Sequence, residues 1–251
     1  MEASSTVFPM LRDFIRKYNY FIFDVDGTII DSINSVLTAL KKAVKSSGIT
    51  VSDSYFNHSL IGPKIYDIAK LLVPEGKPEE WREIASNFRR IYDADPCIDA
   101  RLFPNLTDFF SALKNENKVC YVATNKPFIP TAKLLEFFGL NSFFDSAAGS
   151  RVYCPNSIPD CDLTKPQMVS GILENATRAF VSVNNADNAR NVNKVKSQFL
   201  MVGDTKSDLD AAMANGIDFA FFYSGYAGNK DEIVNSTGTE FVFKDYRELY
   251  D

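Results

Sequence analysis

The sequence predicts an α/β fold: a Rossmann-like parallel sheet core with helices on both faces and an inserted all-helical cap domain. Three observations point there. Apolar runs rich in aromatic and β-branched residues recur at 20–24 (YFIFD), 118–124 (KVCYVAT), 198–204 (QFLMVGD) and 218–223 (DFAFFY). Helical patterns separate these runs, and strands apolar on both faces belong to a parallel sheet covered on two sides. About ninety residues part the first run from the second, many more than the dozen or so a single crossover needs.

Taken in order, the first strand ends at Asp24 and turns through Val25-Asp26-Gly27-Thr28. Ser32 is placed to cap a helix whose apolar residues Ile33, Val36, Leu37, Leu40 and Val44 keep helical spacing, with Gly48 as its stop. Further helical patterns fall at 53–60, 64–72 and 78–93; Pro78 suits a helix start, and Trp81, Ile84 and Phe88 share one face. Residues 33–98 are therefore expected to form a helical cap domain on a core of residues 1–32 and 99–251, with Pro96 and Pro104 bracketing the return hinge. The second strand passes through Thr124-Asn125-Lys126 into a helix closed by Gly139. Residues 145–165 are rich in turn formers and read as a long loop with one short strand. Thr164 and Gln167 fit a capping box for a helix over 165–176, and the asparagine-rich stretch 184–193 reads as surface helix and loop. The strand at 198–204 enters a helix that carries Leu209, Ala212 and Met213 and stops at Asn215-Gly216, and 241–243 (FVF) reads as an edge strand.

Composition narrows the function. The chain has 251 residues, 45% of them apolar, enough for a soluble globular core. A net charge of -5 disfavours nucleic acid as a partner, because phosphate-backbone binding needs a positive surface. No run is long and apolar enough to span a bilayer, and the N-terminus lacks the layout of a signal peptide, so a cytoplasmic protein without membrane contact is expected. The four cysteines lack paired spacing and read as reduced, structural thiols. His58 is the only histidine, so triad, phosphohistidine or histidine-rich metal chemistry would all rest on one residue.

Carboxylate chemistry remains. Asp24 and Asp26 stand at a strand end, where two nearby acids need a cation or a shared proton; the bland alternative is a solvated turn. Asp204 and Asp208 sit about one helical turn apart at a helix start, where acids also simply complement the dipole. Together four carboxylates at strand ends suit Mg²⁺, which takes a few carboxylates plus water and phosphate oxygens. Thr124 and Asn125 open a strand-to-helix turn able to hold an anion, although both residue types are common at helix starts anyway. Lys165 in the first turn of a helix opposes the dipole unless an anion lies near; otherwise it is an exposed loop lysine. In an open parallel sheet ligands bind beyond the carboxyl ends of the strands, so Asp24, Thr124 and Asp204 are expected to share one crevice.

These pieces, in this order, resemble the haloacid dehalogenase-like hydrolase superfamily, and within it the phosphoglycolate phosphatase-like branch with a helical cap after the first motif. The resemblance spans residues 18–227. It implies Asp24 as nucleophile, Asp26 as general acid and base, Thr124 and Lys165 as holders of the phosphoryl group, and Asp204 as a Mg²⁺ ligand with Asp208 in or beside the metal shell. The metal set is thus expected to comprise Asp24, Asp26, Asp204 and Asp208, and the substrate contacts Thr124, Asn125 and Lys165. Dehalogenases of the superfamily lack an acid at the position of Asp26, and sugar-phosphate mutases usually carry a branched aliphatic residue at that of Thr28. Phosphoester hydrolysis is therefore expected. Ile61-Gly62-Pro63-Lys64 resembles the cap segment that reaches the site in relatives, making Lys64 a second contact to an anionic substrate, with a solvated helix-start lysine as the plainer reading. The spacing from Lys165 to Asp204 is longer than the family's, with the asparagine-rich stretch as the extra length.

The expected reaction is Mg²⁺-dependent hydrolysis of a small phosphomonoester, such as phosphoglycolate, a sugar phosphate or a nucleotide, through an aspartyl-phosphate. Asp26 is expected to be held protonated by acidic neighbours. A mutase or phosphotransferase would use the same residues, and a non-catalytic ligand-binding relative is the rival of another class.

Overall fold

The computed structural model describes residues 10–146, 149–154, 163–184, 194–237 and 241–251. Six parallel strands form the sheet: β1 Tyr20–Phe23, β2 Val119–Ala123, β3 Val152–Tyr153, β4 Phe199–Gly203, β5 Asp218–Phe222 and β6 Val242–Phe243. Their spatial order is 3-2-1-4-5-6. The chain winds outward from β1 on one side and then returns to β4 on the other, so the topology reverses between β1 and β4. Asp24 and Asp204 directly follow these two strands, and Thr124 follows β2.

Each face of the sheet has its own buried layer, which explains why the strands are apolar throughout rather than alternating. Phe21 and Phe23 pack with Phe109, Phe110, Phe144 and Tyr246 on one face, while Ile22 packs with Met168, Ile172, Met201 and Leu209 on the other. The helices that supply these layers include α4 Leu106–Asn115, α5 Phe128–Phe137, α6 Lys165–Asn184 and α7 Lys206–Asn215. Before them come α1 Ile33–Ser46, α2 Ile65–Leu72 and α3 Pro78–Ala94, which bury a separate cluster containing Val36, Leu40, Ile68, Ile84 and Tyr92. Trp81 is half-buried against this cluster and donates its indole N–H to the Val73 carbonyl at 2.8 Å.

The two crossings between this helical segment and the sheet are tied together. Ile30–Asp31 pairs antiparallel with Arg101–Leu102, and the Ser35 hydroxyl donates to the Pro96 carbonyl at 2.6 Å. On the far side, Lys133 of α5 donates to the last carbonyls of α3, Asp93 O at 2.6 Å and Ala94 O at 3.1 Å, as a cation should at a helix C-terminus.

Several local expectations change. Residues 53–60 form two short 3₁₀ turns, 53–55 and 58–60, rather than an α-helix. The Asn57 carboxamide accepts from the Ser59 N–H, the kind of local polar bond that competes with helix. The helix at 165 continues to Asn184, beyond 176, with Phe180 packed against the sheet's second layer. Ser32 occupies the cap position of α1 but does not cap it; its hydroxyl turns to Asp26. The expected strand in 145–165 is β3, which joins the sheet edge beside β2. Of the asparagine-rich stretch, 185–193 lies outside the described residues, as does Cys161. Cys97 and Cys120 are free thiols, and burial pushes the Cys120 thiol up to about 12. No helix among the described residues is long and apolar enough to cross a membrane.

Candidate active site

The carboxyl ends of β1, β2 and β4 converge, and the side chains beyond them interlock. Asp24, Asp204 and Asp208 are all buried, and each offers an oxygen such that the three lie within 4.8 Å of one another. Asp204 is fixed by the Thr28 hydroxyl at 2.9 Å on Oδ1 and by the Tyr226 backbone N–H at 2.6 Å on Oδ2. Asp208 closes a capping box at the start of α7, its Oδ2 accepting from the Thr205 N–H at 2.9 Å and hydroxyl at 2.6 Å. Its other oxygen, Oδ1, receives the Lys165 ammonium at 2.6 Å. That same ammonium stands 3.1 Å from Asp24 Oδ1.

Lys165 begins α6, where the Thr164–Gln167 pair closes the helix end: Gln167 Oε1 accepts from the Thr164 N–H at 2.8 Å. A cation there would oppose the helix dipole, and the two acids offset that cost. The backbone approach is equally tight. Gly27 has φ +82°, and a Cβ on it would lie 2.3 Å from Asp204 Oδ2. A Cβ on Gly225 would come 2.2 Å from Asp204 Cβ and 2.4 Å from the Gly27 carbonyl oxygen.

The electrostatics call for more positive charge than the protein supplies. Burial first, then repulsion from Asp208, raises the Asp24 carboxyl to about 6 despite the opposing pull of Lys165. Burial together with Asp208 and Asp24 pushes Asp204 well above the usual carboxylate range. Three carboxylates share one ammonium, and apart from its ion pair with Lys165 the buried Asp24 Oδ1 accepts no hydrogen bond among the described residues. An all-oxygen donor set with two uncompensated negative charges fits a hard divalent cation.

Asp26 does not join this group. Its carboxylate faces the other way, taking the Lys126 ammonium at 2.9 Å on Oδ1 and 3.0 Å on Oδ2 and the Ser32 hydroxyl at 2.5 Å on Oδ1. Its side chain therefore stands apart from the acids with which it was expected to share a metal, and its hydrogen-bond partners among the described residues are a cation and a hydroxyl rather than acidic neighbours. Lys126 also meets the Tyr92 hydroxyl of α3 at 2.6 Å. Thr124 is buried with its hydroxyl beside Asp24, whereas Asn125 is exposed. Lys64 is exposed at the N-terminal end of α2, and His58 is exposed on a 3₁₀ turn.

Sequence reasoning gave no site role to Lys126, Tyr92, Ser32 or Tyr226, reading Ser32 only as a helix cap. The Tyr226 hydroxyl donates to Asp31 at 2.6 Å and accepts the first N–H of α1, from Ile33, at 3.1 Å. Only Lys126 left a readable signal, a lysine directly behind an apolar strand end; the tyrosines look like ordinary core residues in one dimension.

A family model described as haloacid dehalogenase-like hydrolase matches residues 21–170, and a second, of hydrolases of the same kind, matches 165–249. The chain belongs to the haloacid dehalogenase-like hydrolase family. Among relatives in that family, a phosphoglycolate phosphatase from Aquifex aeolicus is 24% identical over 86% of this chain and 90% of its own. The tyrosine-protein kinase PtkA of Mycobacterium tuberculosis is also 24% identical, over 88% of this chain and 67% of its own. The solved structure of a haloacid dehalogenase-like family hydrolase from Streptococcus pneumoniae superposes with a TM-score of 0.69 at 20% identity, covering 92% of this chain and 96% of that one. At that identity the superposition speaks for the fold.

Proposed function

We propose that this haloacid dehalogenase-like phosphatase hydrolyses a small phosphomonoester in two steps, with Mg²⁺ held by Asp24, Asp204 and Asp208. The observation that carries the reading is the wedge of Lys165 between Asp24 and Asp208, within a buried acid cluster that lacks enough positive charge. When bound, Mg²⁺ supplies the positive charge that lets an anionic nucleophile and a phosphate dianion approach each other.

The protein's own groups do the rest. Asp24 attacks phosphorus in line, and as the ester P–O bond breaks Asp26 passes a proton to the leaving oxygen, leaving an aspartyl-phosphate. Asp26 then takes a proton from water as that water attacks the intermediate, releasing inorganic phosphate and restoring Asp24. Lys165, the Thr124 hydroxyl and the backbone N–H groups after β2 stabilise charge on the equatorial phosphoryl oxygens. The helical segment at 33–98 serves as a cap that excludes water during the first step. Phosphoglycolate, sugar phosphates and nucleotides all remain in the substrate class, because these residues address the phosphoryl end alone.

The test is phosphate release from a panel of such esters, with Mg²⁺ and with excess chelator. Turnover of at least one ester that chelator abolishes and Mg²⁺ restores is expected. Silence across the panel with Mg²⁺ present would reject the reading. One relative's name supports a second reading, transfer to an acceptor other than water, and following the labelled phosphoryl group to phosphate or to a protein hydroxyl decides between them.

A further inference from the structure

Lys126 is an unusual place for a charge. Its side chain is 3% exposed and reaches Asp26 and Tyr92 rather than the Asp24–Asp204–Asp208 cluster. Burial alone would lower its pKa; Asp26 and Tyr92 outweigh that and hold the ammonium charged. The arrangement gives the two Asp26 oxygens different work. Oδ1 takes both the Ser32 hydroxyl and Lys126, whereas Oδ2 takes Lys126 alone and keeps a lone pair open. Tyr92 in turn belongs to α3, lies 4.5 Å from Lys126 Nζ to its ring centre, and stacks on Phe88 of the same helix at 5.2 Å. The ammonium is therefore shared between the sheet's edge of the site and the helical segment.

Resting on the acid–base role given to Asp26 above, we propose that Lys126 is the positioning residue for that carboxylate. It holds both Asp26 oxygens and so fixes how that carboxyl faces the leaving oxygen, and Tyr92 must be docked to hold Lys126 in place. As Asp26 gives its proton to the leaving oxygen it becomes an anion, and Lys126 pairs with it without losing a proton of its own. The helical segment thus sets the acid–base group directly, besides covering it. Lys126 makes no hydrogen bond or ion pair with Asp24 or any contact with Lys165 among the described residues, so formation of the phosphoenzyme from an ester that needs no proton on its leaving group is left largely intact.

Rapid-quench kinetics of the full chain with Mg²⁺ separate these effects. Two esters are compared: 2,4-dinitrophenyl phosphate, whose leaving group needs no acid, and glycerol 3-phosphate, whose leaving group does. In Lys126→Met the first-step rate for glycerol 3-phosphate falls about 100-fold, the usual size of an acid–base contribution, while that for the dinitrophenyl ester falls less than about threefold. Tyr92→Phe, which keeps the ring and its stacking, shows the same selectivity at about tenfold, and Lys126→Arg, which keeps the cation, recovers part of the loss. Equal losses for both esters, or none for either, in Lys126→Met or in the milder Tyr92→Phe overturn the inference. Absence of phosphate release by the wild-type protein would instead overturn the phosphatase reading itself, so the two failures are distinct.

Discussion

Lys165 and Lys126 are both buried ammonium groups clamped by oxygen atoms, yet they answer to different parts of the chain. Lys165 begins a core helix and meets Asp24 and Asp208, groups that the ends of β1 and β4 set in place. Lys126 also starts from a strand end, but one of its partners, Tyr92, comes from the helical segment inserted after β1. The half of the site that would attack phosphorus is assembled within the sheet core and its own helices. The half that would move protons is complete only when a second structural unit is docked. Chemistry that must be preorganised sits on the sheet core, and under the proposed mechanism the step that benefits from water exclusion also draws on the helical segment.

The largest effect should come from the sheet-built half. Asp24→Asn is expected to lower hydrolysis of an aryl phosphate by at least about 10⁴-fold with an unchanged circular dichroism spectrum, because the nucleophile's charge is lost while its shape is kept. Near-normal turnover would dismantle the comparison at its root. Lys165→Met should cost about 100- to 1,000-fold in turnover and, in metal-free protein, about 3 kcal/mol in urea unfolding, since two buried acids lose the ammonium they share. Gly225→Ala should destabilise by about 1–3 kcal/mol and weaken Mg²⁺ binding, because its Cβ meets Asp204 and the Gly27 carbonyl.

Mg²⁺ itself sharpens the contrast through pH. The Asp24 carboxyl is raised from 3.8 to about 6 in the fold, so between those values the unfolded chain has released a proton that the folded chain keeps. Stability of the metal-free protein therefore falls as pH rises from about 4 through about 6. Mg²⁺ should accordingly raise the melting temperature more at pH 7.5 than at pH 5, by the same amount in Lys126→Met as in wild type, and by a different amount in Lys165→Met. The smallest effect is expected at Lys64. If this exposed side chain meets an anionic leaving group, the contact is worth no more than about 1 kcal/mol, so Lys64→Ala should raise KM by up to about fivefold with kcat unchanged.

The local chemistry of single elements was readable because it depends on neighbours in the chain. The Gln167 side chain closing on the Thr164 N–H, the αL glycine at 48 past α1, Pro78 at the start of α3 and the strand ends at Asp24, Thr124 and Asp204 all follow from residue types a few positions apart. The expectations that changed were those with competing partners. Ser32 has the residue type and position of a helix cap, but Asp26 offers its hydroxyl a charged acceptor, and a charge-assisted bond outcompetes a neutral one. Asp26 reads as one more member of an acid cluster because Asp24 is two residues away. The backbone turn at Gly27 and a lysine a hundred positions along send its carboxylate elsewhere.

The amino-acid sequence by itself determined the α/β class, the strand ends that carry acids, and the family to which the chain is similar, because periodicity and short motifs are local properties of a polymer. Which acids face one another, which lysine serves which carboxylate, and that a tyrosine from the helical segment completes the proton-moving half were decided only by tertiary structure. Burial and charge pairing act through space, and an ammonium taken out of water settles on whichever oxygens the fold brings within about 3 Å of it.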